Sequence, residues 1–257
     1  MQIHYDLPHV DQYVKQRQKI AVDDFEPQFK KELKRIEKFR PIDADTKILE
    51  VGSGIGWFPI LCKKHGIACK GIDICPELVE YAQLLGRKCG VVPDIELGNI
   101  ETMDIGISTY DIVIALSTFE HVEHWQKGIK NIFRALKSGG LFYFYSTNKF
   151  SFVSGEYRFP FYGWLPDRWR YSLQKRRVGQ NIMKLGVDFN QFNHFQLKHF
   201  FTKLGFSNIY HQYEVLALDN LIATTPWKKM ILRMMRFEPM TFAGLCLSPG
   251  TLFVCIK

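Results

Sequence analysis

Short apolar runs alternate with amphipathic stretches through the middle of the chain. TKILEV, ACKGIDI, DIELGNI, YDIVIAL and LFYFYST have the character of strands, and WFPILCKKHG, CPELVEYAQLLG and WQKGIKNIFRALKSGG have the apolar spacing of helices. YDIVIAL is apolar almost throughout, which is typical of a strand buried on both faces. This alternation predicts an α/β protein with a doubly wound, mostly parallel sheet.

Different patterns flank the alternating part. Residues 8–40 are charged, and their periodic apolar positions predict one or two helices that end before Pro41. The candidate buried positions of these helices are Val14, Ile20, Phe25, Phe29, Leu33 and Ile36. Residues 148–190 are aromatic, basic and irregular, and we predict no regular element there.

The pattern of the core returns near the end of the chain. NHFQLKHFFTKLGF predicts a helix with Asn193 as its N-cap, and SNIYHQYEVLAL and GTLFVCIK indicate two closing strands. These changes predict four parts. They are an N-terminal helical segment (1–44), a core (45–147), an insertion (148–192), and a C-terminal part of the core (193–257) that carries a basic helical insert.

Composition narrows the class of protein. The chain has 257 residues, 46% hydrophobic and 23% charged, which is ordinary for a globular protein. No run approaches the roughly 18 apolar residues of a membrane span, and the N-terminus lacks an apolar secretion segment, so we expect a cytoplasmic location. The six cysteines form no Cys-x-x-Cys pair, which disfavours a zinc or redox motif. The net charge of +8 favours anionic partners: nucleic acid, a phospholipid surface or an anionic substrate.

A glycine-rich turn, GSGIG, follows the first predicted strand. Such a turn places backbone N–H groups and a helix N-terminus beside a ligand. A nucleotide P-loop and a dinucleotide fingerprint both require glycine at the position of Trp57, so neither motif is present. The pattern is Glu-x-Gly-x-Gly-x-Gly, in which Glu50 lies inside the end of the strand and its carboxylate suits a cationic ligand.

Four ordered motifs resemble those of class I S-adenosylmethionine (SAM)-dependent methyltransferases. They are the glycine turn, the acid of GIDI about 20 residues later, GNIETMD, and YDIVIALSTFEHV, and together they cover residues 45–147. The resemblance implies a seven-stranded sheet, SAM as the cofactor and S-adenosylhomocysteine as the product. It implies cofactor contacts from Glu50, Gly52, Ser53, Gly54, Gly56, Asp73, Ile74, Asn99, Ile100, Leu116, Ser117 and His121. The family usually has Asp where this chain has Asn99, whose carbonyl is also a hydrogen-bond acceptor.

The loop after the fourth strand bears on the acceptor. It lacks the proline-containing motif of many DNA and protein N-methylating relatives, which disfavours amine methylation of nucleobases. Glu120-His121 resembles the Glu-His of ubiquinone-biosynthesis O-methyltransferases. Those enzymes often have a further metal-binding Glu where this chain has Ser117, so we expect no metal. His121 is the first candidate general base and His124 the second, because imidazole titrates near neutrality. Alternatively, His121 packs at the loop and touches only the cofactor.

The insertion carries most of the information on the substrate. It has nine aromatic residues between Phe150 and Tyr171, and six basic against two acidic residues between Ser151 and Arg177. It is either a lid over an apolar acceptor pocket, a membrane-surface element, or a stacking platform for single-stranded nucleic acid, in decreasing order of preference. A cap that packs on itself and has a solvated basic rim is a further alternative, compatible with the first two. The candidate substrate contacts are Tyr157, Phe161 and Trp164. In PWKKMILRMMRF, a helix would separate an apolar face from basic residues, as in helices that lie on membranes or pack on their own domain.

We therefore predict a SAM-dependent methyltransferase that O-methylates a small-molecule or lipid-linked biosynthetic acceptor. An anionic membrane surface is a further candidate partner, and nucleic acid is a less favoured one. Two alternatives are an RNA methyltransferase, which the charge favours, and a non-catalytic SAM-binding partner protein. The sequence does not indicate an oligomeric state.

Overall fold

The computed structural model describes residues 21–152, 160–178, 190–217 and 237–257, together with positions 230 and 234. Val14, Ile20, Tyr157 and most of the basic segment PWKKMILRMMRF lie outside these residues. The predictions made for them are not addressed by the fold.

The order of elements follows the alternation of the sequence. The helices are α1 (Glu26–Glu37), α2 (Trp57–Lys64), α3 (Pro76–Lys88), α4 (Trp125–Ala135), α5 (Asp167–Val178), α6 (His194–Leu204), α7 (Gln212–Ala217) and α8 (Glu238–Leu247). The strands are β1 (Ile48–Val51), β2 (Cys69–Asp73), β3 (Asp94–Leu97), β4 (Tyr110–Leu116), β5 (Leu136–Thr147), β6 (Asn208–His211) and β7 (Gly250–Ile256). Short 3₁₀ helices cover Val22–Phe25, Phe119–His121 and Tyr162–Trp164.

Within the described residues, seven strands form one sheet in the order β3-β2-β1-β4-β5-β7-β6. The strands β1 to β5 are parallel, and β7 is antiparallel to both of its neighbours. This confirms the predicted doubly wound, mostly parallel seven-stranded sheet. The strand order reverses between β1 and β4, where open α/β sheets bind their ligands beyond the carboxyl ends of the strands.

Each face of the sheet buries its own apolar layer. On one face, Phe142 and Phe144 of β5 pack with α4 and α6. On the other, Ile112 and Ile114 of β4 pack with α1 and α2. Side chains alternate along a strand, so β5 supplies both layers. On the second face, the Tyr143 hydroxyl donates to Glu32, which also pairs with Arg35, and this buried group attaches α1 to the sheet.

Three sequence predictions differ from the fold. Helix α4 ends at Ala135 rather than at the glycines, because the following residues already belong to β5 and Leu136 pairs with Tyr110. SNIYHQYEVLAL is a strand only through His211, whose N–H donates to the Glu214 carboxylate at 2.7 Å as the chain turns into α7.

The third difference concerns the insertion, for which the sequence predicts no regular element. Residues 167–178 form helix α5. Residues 238–247, for which no element is predicted, form helix α8. Apart from tyrosine and tryptophan, much of α5 consists of arginine, lysine, glutamine and leucine, all good helix formers, so its local propensity explains the helix. By contrast, the predicted Asn193 N-cap is confirmed, since its side chain accepts the Gln196 N–H at 2.9 Å.

Candidate cofactor and acceptor site

The glycine turn between β1 and α2 needs its glycines for two reasons. Gly52, Gly54 and Gly56 have φ angles of 74°, 55° and 74°. Positive φ angles are unfavourable for residues that have a Cβ atom. A Cβ on Gly52 would lie 2.4 Å from the Thr118 side chain, and one on Gly56 would lie 2.7 Å from Ala82 and from Ile95. The turn therefore packs closely against both the loop after β4 and the α3–β3 layer.

Glu50 places a buried carboxyl group directly before this turn. It lies in the middle of the sheet, paired with Gly71 of β2 and Ile114 of β4, and only 3% of its surface is exposed. Burial raises its pKa well above the usual value, although a hydrogen bond with Ser53 opposes the shift. Its Oε2 has no hydrogen-bond partner among the described residues. A buried acceptor without a partner is costly, so this atom fits a cationic ligand group that would complete its contacts.

Asp73 ends β2 and joins the glycine turn to the start of α3. Its carboxylate accepts the N–H of Gly54 at 2.7 Å and that of Cys75 at 2.9 Å. Burial raises the pKa of Asp73, and these backbone hydrogen bonds act in the opposite direction. Ile74, beside it, is half-buried. The structure thus brings the predicted ribose-binding acid into contact with the predicted methionine-binding turn.

Asn99 and Ile100 follow β3 at the same edge of the sheet. The Asn99 Oδ1 accepts the Glu101 N–H at 2.8 Å and so stabilises the turn. Ile100 is buried in the layer that contains Phe119, and its carbonyl accepts the Asn131 Nδ2–H at 2.8 Å. In this arrangement the Ile100 side chain is a packing residue, and the role of the pair at the adenine stays a prediction.

The loop after β4 faces the glycine turn. Leu116 is half-buried, and Ser117 has a φ of 53° while its N–H donates to the Tyr145 carbonyl at 2.8 Å. The Thr118 hydroxyl donates to the Val51 carbonyl at 2.9 Å. These bonds fix the loop to the ends of β1 and β5.

Glu120 and His121 differ in burial. The Glu120 carboxylate is fully buried and accepts the Ser146 hydroxyl at 2.8 Å. His121 is half-buried, and His124, three residues on, is exposed. The Glu120 side chain therefore holds the loop against β5, and His121 is the more enclosed of the two candidate bases.

Asn190, far along the chain, makes further hydrogen bonds to this loop, and we call this set of bonds the Asn190 clamp. The Asn190 Nδ2 donates to the carbonyls of Phe119 at 3.1 Å and Val122 at 2.6 Å, and its N–H donates to the Glu120 carbonyl at 3.0 Å. Sequence reasoning missed Asn190, Thr118 and Ser146. No local pattern marks them, because their partners are separated from them by 26 residues or more.

The described part of the insertion gathers aromatic side chains beside the end of β5. Trp164 contacts Phe150, Phe152 and Phe161, with ring centroids 5.9, 6.2 and 5.5 Å away. The predicted substrate contacts Phe161 and Trp164 are each 45% exposed. Tyr157, the third, lies outside the described residues.

Two further kinds of site are absent from the described part of the chain. It has no group of three or more His, Cys, Asp or Glu side chains placed to hold a metal ion. None of its helices is both long and apolar enough to cross a membrane.

Comparison with known proteins identifies the class. Residues 49–144 match the family model of the methyltransferase domain. This part of the chain is a class I SAM-dependent methyltransferase domain, and it includes Glu50, the glycine turn, Asp73 and the loop after β4.

Individual relatives resemble parts of the chain. It is 33% identical over 105 residues to ajmaline N-methyltransferase from Rauvolfia serpentina, covering 38% of this chain and 36% of that protein. It is 27% identical over 118 residues to the ubiquinone biosynthesis O-methyltransferase of Coxiella burnetii (strain Dugway 5J108-111), covering 44% and 50%. The similar segments thus span half or less of these curated relatives.

A solved structure supports the fold over a larger share of the chain. Phosphoethanolamine N-methyltransferase 2 from Haemonchus contortus, in complex with phosphomonomethylethanolamine and S-adenosylhomocysteine, aligns with a TM-score of 0.56 and 16% identity. The alignment covers 89% of this chain and 52% of that one. At this identity the likeness concerns the fold.

Proposed function

We propose that this chain is a SAM-dependent methyltransferase that methylates an oxygen of a small-molecule or lipid-linked biosynthetic acceptor. The observation that carries the cofactor assignment is the buried Glu50 carboxyl, whose Oε2 has no partner in the described structure, directly before a turn of positive-φ glycines. The methionine part of SAM carries an ammonium group. A buried carboxyl group with one oxygen unpartnered among the described residues, beside a close-approach turn, suits that group.

The residues at the carboxyl edge of the sheet fit the other parts of SAM. Backbone groups of Gly52, Gly54 and Gly56 would frame the methionine portion, since these positions leave room for close approach. Asp73 offers a carboxylate for the ribose hydroxyls. When bound, SAM supplies an electrophilic methyl group on a sulfonium.

The loop after β4 would position the acceptor and exclude water. Its backbone is fixed by the Thr118 and Ser117 hydrogen bonds and by the Asn190 clamp, so groups on it are held in place before the acceptor arrives. We assign His121 the role of general base, accepting the proton of an acceptor hydroxyl at a ring nitrogen. Its half-buried position limits access of water, whereas His124 is exposed.

Nitrogen is the competing acceptor atom. The relatives include ajmaline N-methyltransferase as well as a ubiquinone biosynthesis O-methyltransferase. The absence of proline from LSTFEHVEHW and the presence of Glu120-His121 support oxygen. A product label that distinguishes O-methyl from N-methyl carbon tests the choice directly.

The experiment is transfer of ¹³C-methyl from labelled SAM into lipid, soluble-metabolite and RNA fractions of a cell extract. NMR of the labelled product separates O-methyl from N-methyl carbon by chemical shift. We expect O-methyl label in the lipid or soluble fraction. Label in RNA, or N-methyl label alone, would contradict the proposed acceptor. No label despite tight SAM binding would point to a non-catalytic protein.

Two matched variants test the base once an acceptor is known. His121→Gln should lower kcat about 10² to 10⁴-fold and flatten the acid limb of its pH profile. His124→Gln, at the exposed position, should leave both nearly unchanged. Equal effects of the two variants, or an unchanged pH profile in His121→Gln, would remove the base role.

A further inference from the structure

An exposed aromatic surface emerges where β5 leaves the sheet. Phe152, Phe161 and Trp164 are 46%, 45% and 45% exposed, although their rings contact one another. Large apolar groups gathered at a surface are uncommon on proteins without a binding function for them. The three side chains form a contiguous patch, so their exposure requires an explanation.

The backbone holds this aromatic group outward at some cost. Phe161 has a φ of 60°, a left-handed conformation that is unusual for a bulky residue. Its N–H donates to the Phe152 carbonyl at 2.9 Å, and its own carbonyl accepts the Trp164 N–H at 3.0 Å. The Trp164 Nε1–H donates to the Ser151 carbonyl at 3.3 Å. Strain retained by a network of bonds is characteristic of positions with a functional constraint.

Helix α5 begins three residues after Trp164 and carries exposed apolar and basic side chains of its own. Trp169 and Leu173 are 54% and 38% exposed, and their four-residue spacing places them on one side of the helix. Arg168 and Arg176, both exposed, lie beside them, and the Arg168 guanidinium sits 6.0 Å from the Trp169 ring centre. The helix sequence has five basic residues and one acidic residue.

We propose that this surface, defined by Phe152, Phe161, Trp164, Arg168, Trp169, Leu173 and Arg176, docks on a bilayer containing anionic phospholipid. Tryptophan and phenylalanine insert at the level of the headgroups, and arginine pairs with lipid phosphate. The excess of positive charge in α5 and in the whole chain, +8, complements an anionic membrane.

The position of the surface connects it to the candidate acceptor site. Ser146, near the end of β5, bonds Glu120 of the loop after β4, and Phe152 follows six residues later. Docking would therefore bring the acceptor side of the sheet to the lipid headgroups. That consequence rests on the proposed methylation of a lipid-linked acceptor; the docking itself does not.

The test is sedimentation of the full chain with vesicles of phosphatidylcholine, alone or mixed with phosphatidylglycerol. We expect binding to the mixed vesicles only, weakening as salt is added. Arg168→Gln/Arg176→Gln should reduce the partition coefficient about tenfold or more. Lys127→Gln/Lys130→Gln removes the same charge from exposed positions of α4 and should have little effect.

An apolar pair of variants tests insertion of the side chains. Trp169→Ala/Leu173→Ala should also reduce binding about tenfold, while Val92→Ala/Ile107→Ala, at sites 71% and 70% exposed elsewhere, should not. Alanine suits a helix and all these sites are exposed, so folding should be retained. SAM affinity, measured on each variant, reports folding and separates loss of docking from failure of the cofactor assignment.

Four outcomes would overturn the proposal. They are equal binding to both vesicle types, insensitivity to the α5 variants, equal loss in the α4 control, and stronger binding to single-stranded RNA that the same α5 variants abolish. Sedimentation velocity adds a fifth, a dimer of this chain that Trp169→Ala/Leu173→Ala dissociates, which would assign the surface to self-association.

Discussion

At the end of β1, one carboxyl group sits where its charge is disfavoured. Burial raises the pKa of Glu50 well above the usual value for a glutamate. The folded protein therefore binds the proton more tightly than the unfolded chain does. It follows that the contribution of Glu50 to stability is greatest at low pH and is lost as pH rises from about 4.3 through the raised pKa. A ligand cation would favour the charged form and reverse this loss.

The first residue-scale prediction concerns Glu50→Gln. Without ligand, the variant should unfold at a higher temperature than the wild type at pH 8, because the amide removes a buried ionisable group. Its SAM affinity should fall about 10- to 100-fold, the range for losing a charge-assisted hydrogen bond. Thermal unfolding and titration calorimetry measure the two effects.

The pH dependence provides the check on this prediction. Wild-type affinity for SAM should increase as pH rises through the Glu50 pKa, and Glu50→Gln should remove that component. Glu123→Gln, at an exposed position of the neighbouring loop, is the control and should change neither quantity. Unaltered SAM affinity in Glu50→Gln would remove Glu50 from the cofactor site.

At the scale of elements, the junction of β1 with α2 depends on one close approach. In Gly56→Ala, the new methyl group would meet Ala82 and Ile95 at 2.7 Å, and the backbone has a φ of 74°. We expect the free energy of unfolding to fall by about 2–4 kcal/mol, from backbone strain and overpacking together. Urea denaturation measures it.

Gly90→Ala separates these two causes. Gly90 has a φ of 75°, and a Cβ there would meet nothing within 4 Å, so this variant carries the backbone strain alone. It should cost about 1–2 kcal/mol. If both variants lose the same stability, the close packing of the turn on α3 and β3 contributes nothing, and the packing argument is wrong.

The same scale shows which elements the sequence could predict. The prediction of strands for YDIVIAL and GTLFVCIK is confirmed by β4 and β7. A nearly continuous apolar run is typical of a strand that is buried on both faces of a sheet. LKSGG was assigned to a helix but belongs to β5, since pairing with β4 at Leu136 outweighs the local pattern. SNIYHQYEVLAL changes from strand to helix after His211, where the His211 N–H donates to the Glu214 carboxylate and favours a turn into α7. The apolar periodicity of the sequence does not indicate this hydrogen bond.

In the candidate site, too, the sequence predicts some residues and misses others. Glu50 and the glycine turn form a local motif, so their meeting with Asp73 across the β1–β2 pair follows from the strand order. Asn190, which holds the loop after β4, meets its partners only through tertiary packing, and its sequence context contains no sign of that contact. Motifs predict ligand chemistry here, and packing decides which side chains fix the loop.

At the scale of the whole molecule, the buried His194 of α6 and the half-buried His211 of β6 lie together beside β7. The His194 ring stacks on Phe253 of β7 with centroids 4.8 Å apart and lies 5.7 Å from the His211 ring. Burial, with smaller effects from His211 and Lys198, lowers the pKa of His194 to about 4. The pKa of His211 is also lowered, chiefly by burial, although Glu214 and Glu238 oppose the shift.

These shifts predict loss of stability in mild acid. The unfolded chain takes up a proton on His194 near pH 6.5 and the folded protein only near pH 4, so stability is full above pH 6.5 and falls as pH drops through this window. The loss from His194 reaches about 3 kcal/mol at most.

His194→Phe keeps an aromatic ring on Phe253 and removes an Nδ1 that has no hydrogen-bond partner in the described structure. Its unfolding free energy should therefore fall less than that of the wild type between pH 6.5 and 4. His199→Gln, at an exposed position of α6, should follow the wild type, and Glu50 and Asp73 titrate alike in all three proteins. Parallel stability curves for wild type and His194→Phe would mean that His194 is protonated in the folded protein as readily as in the unfolded chain.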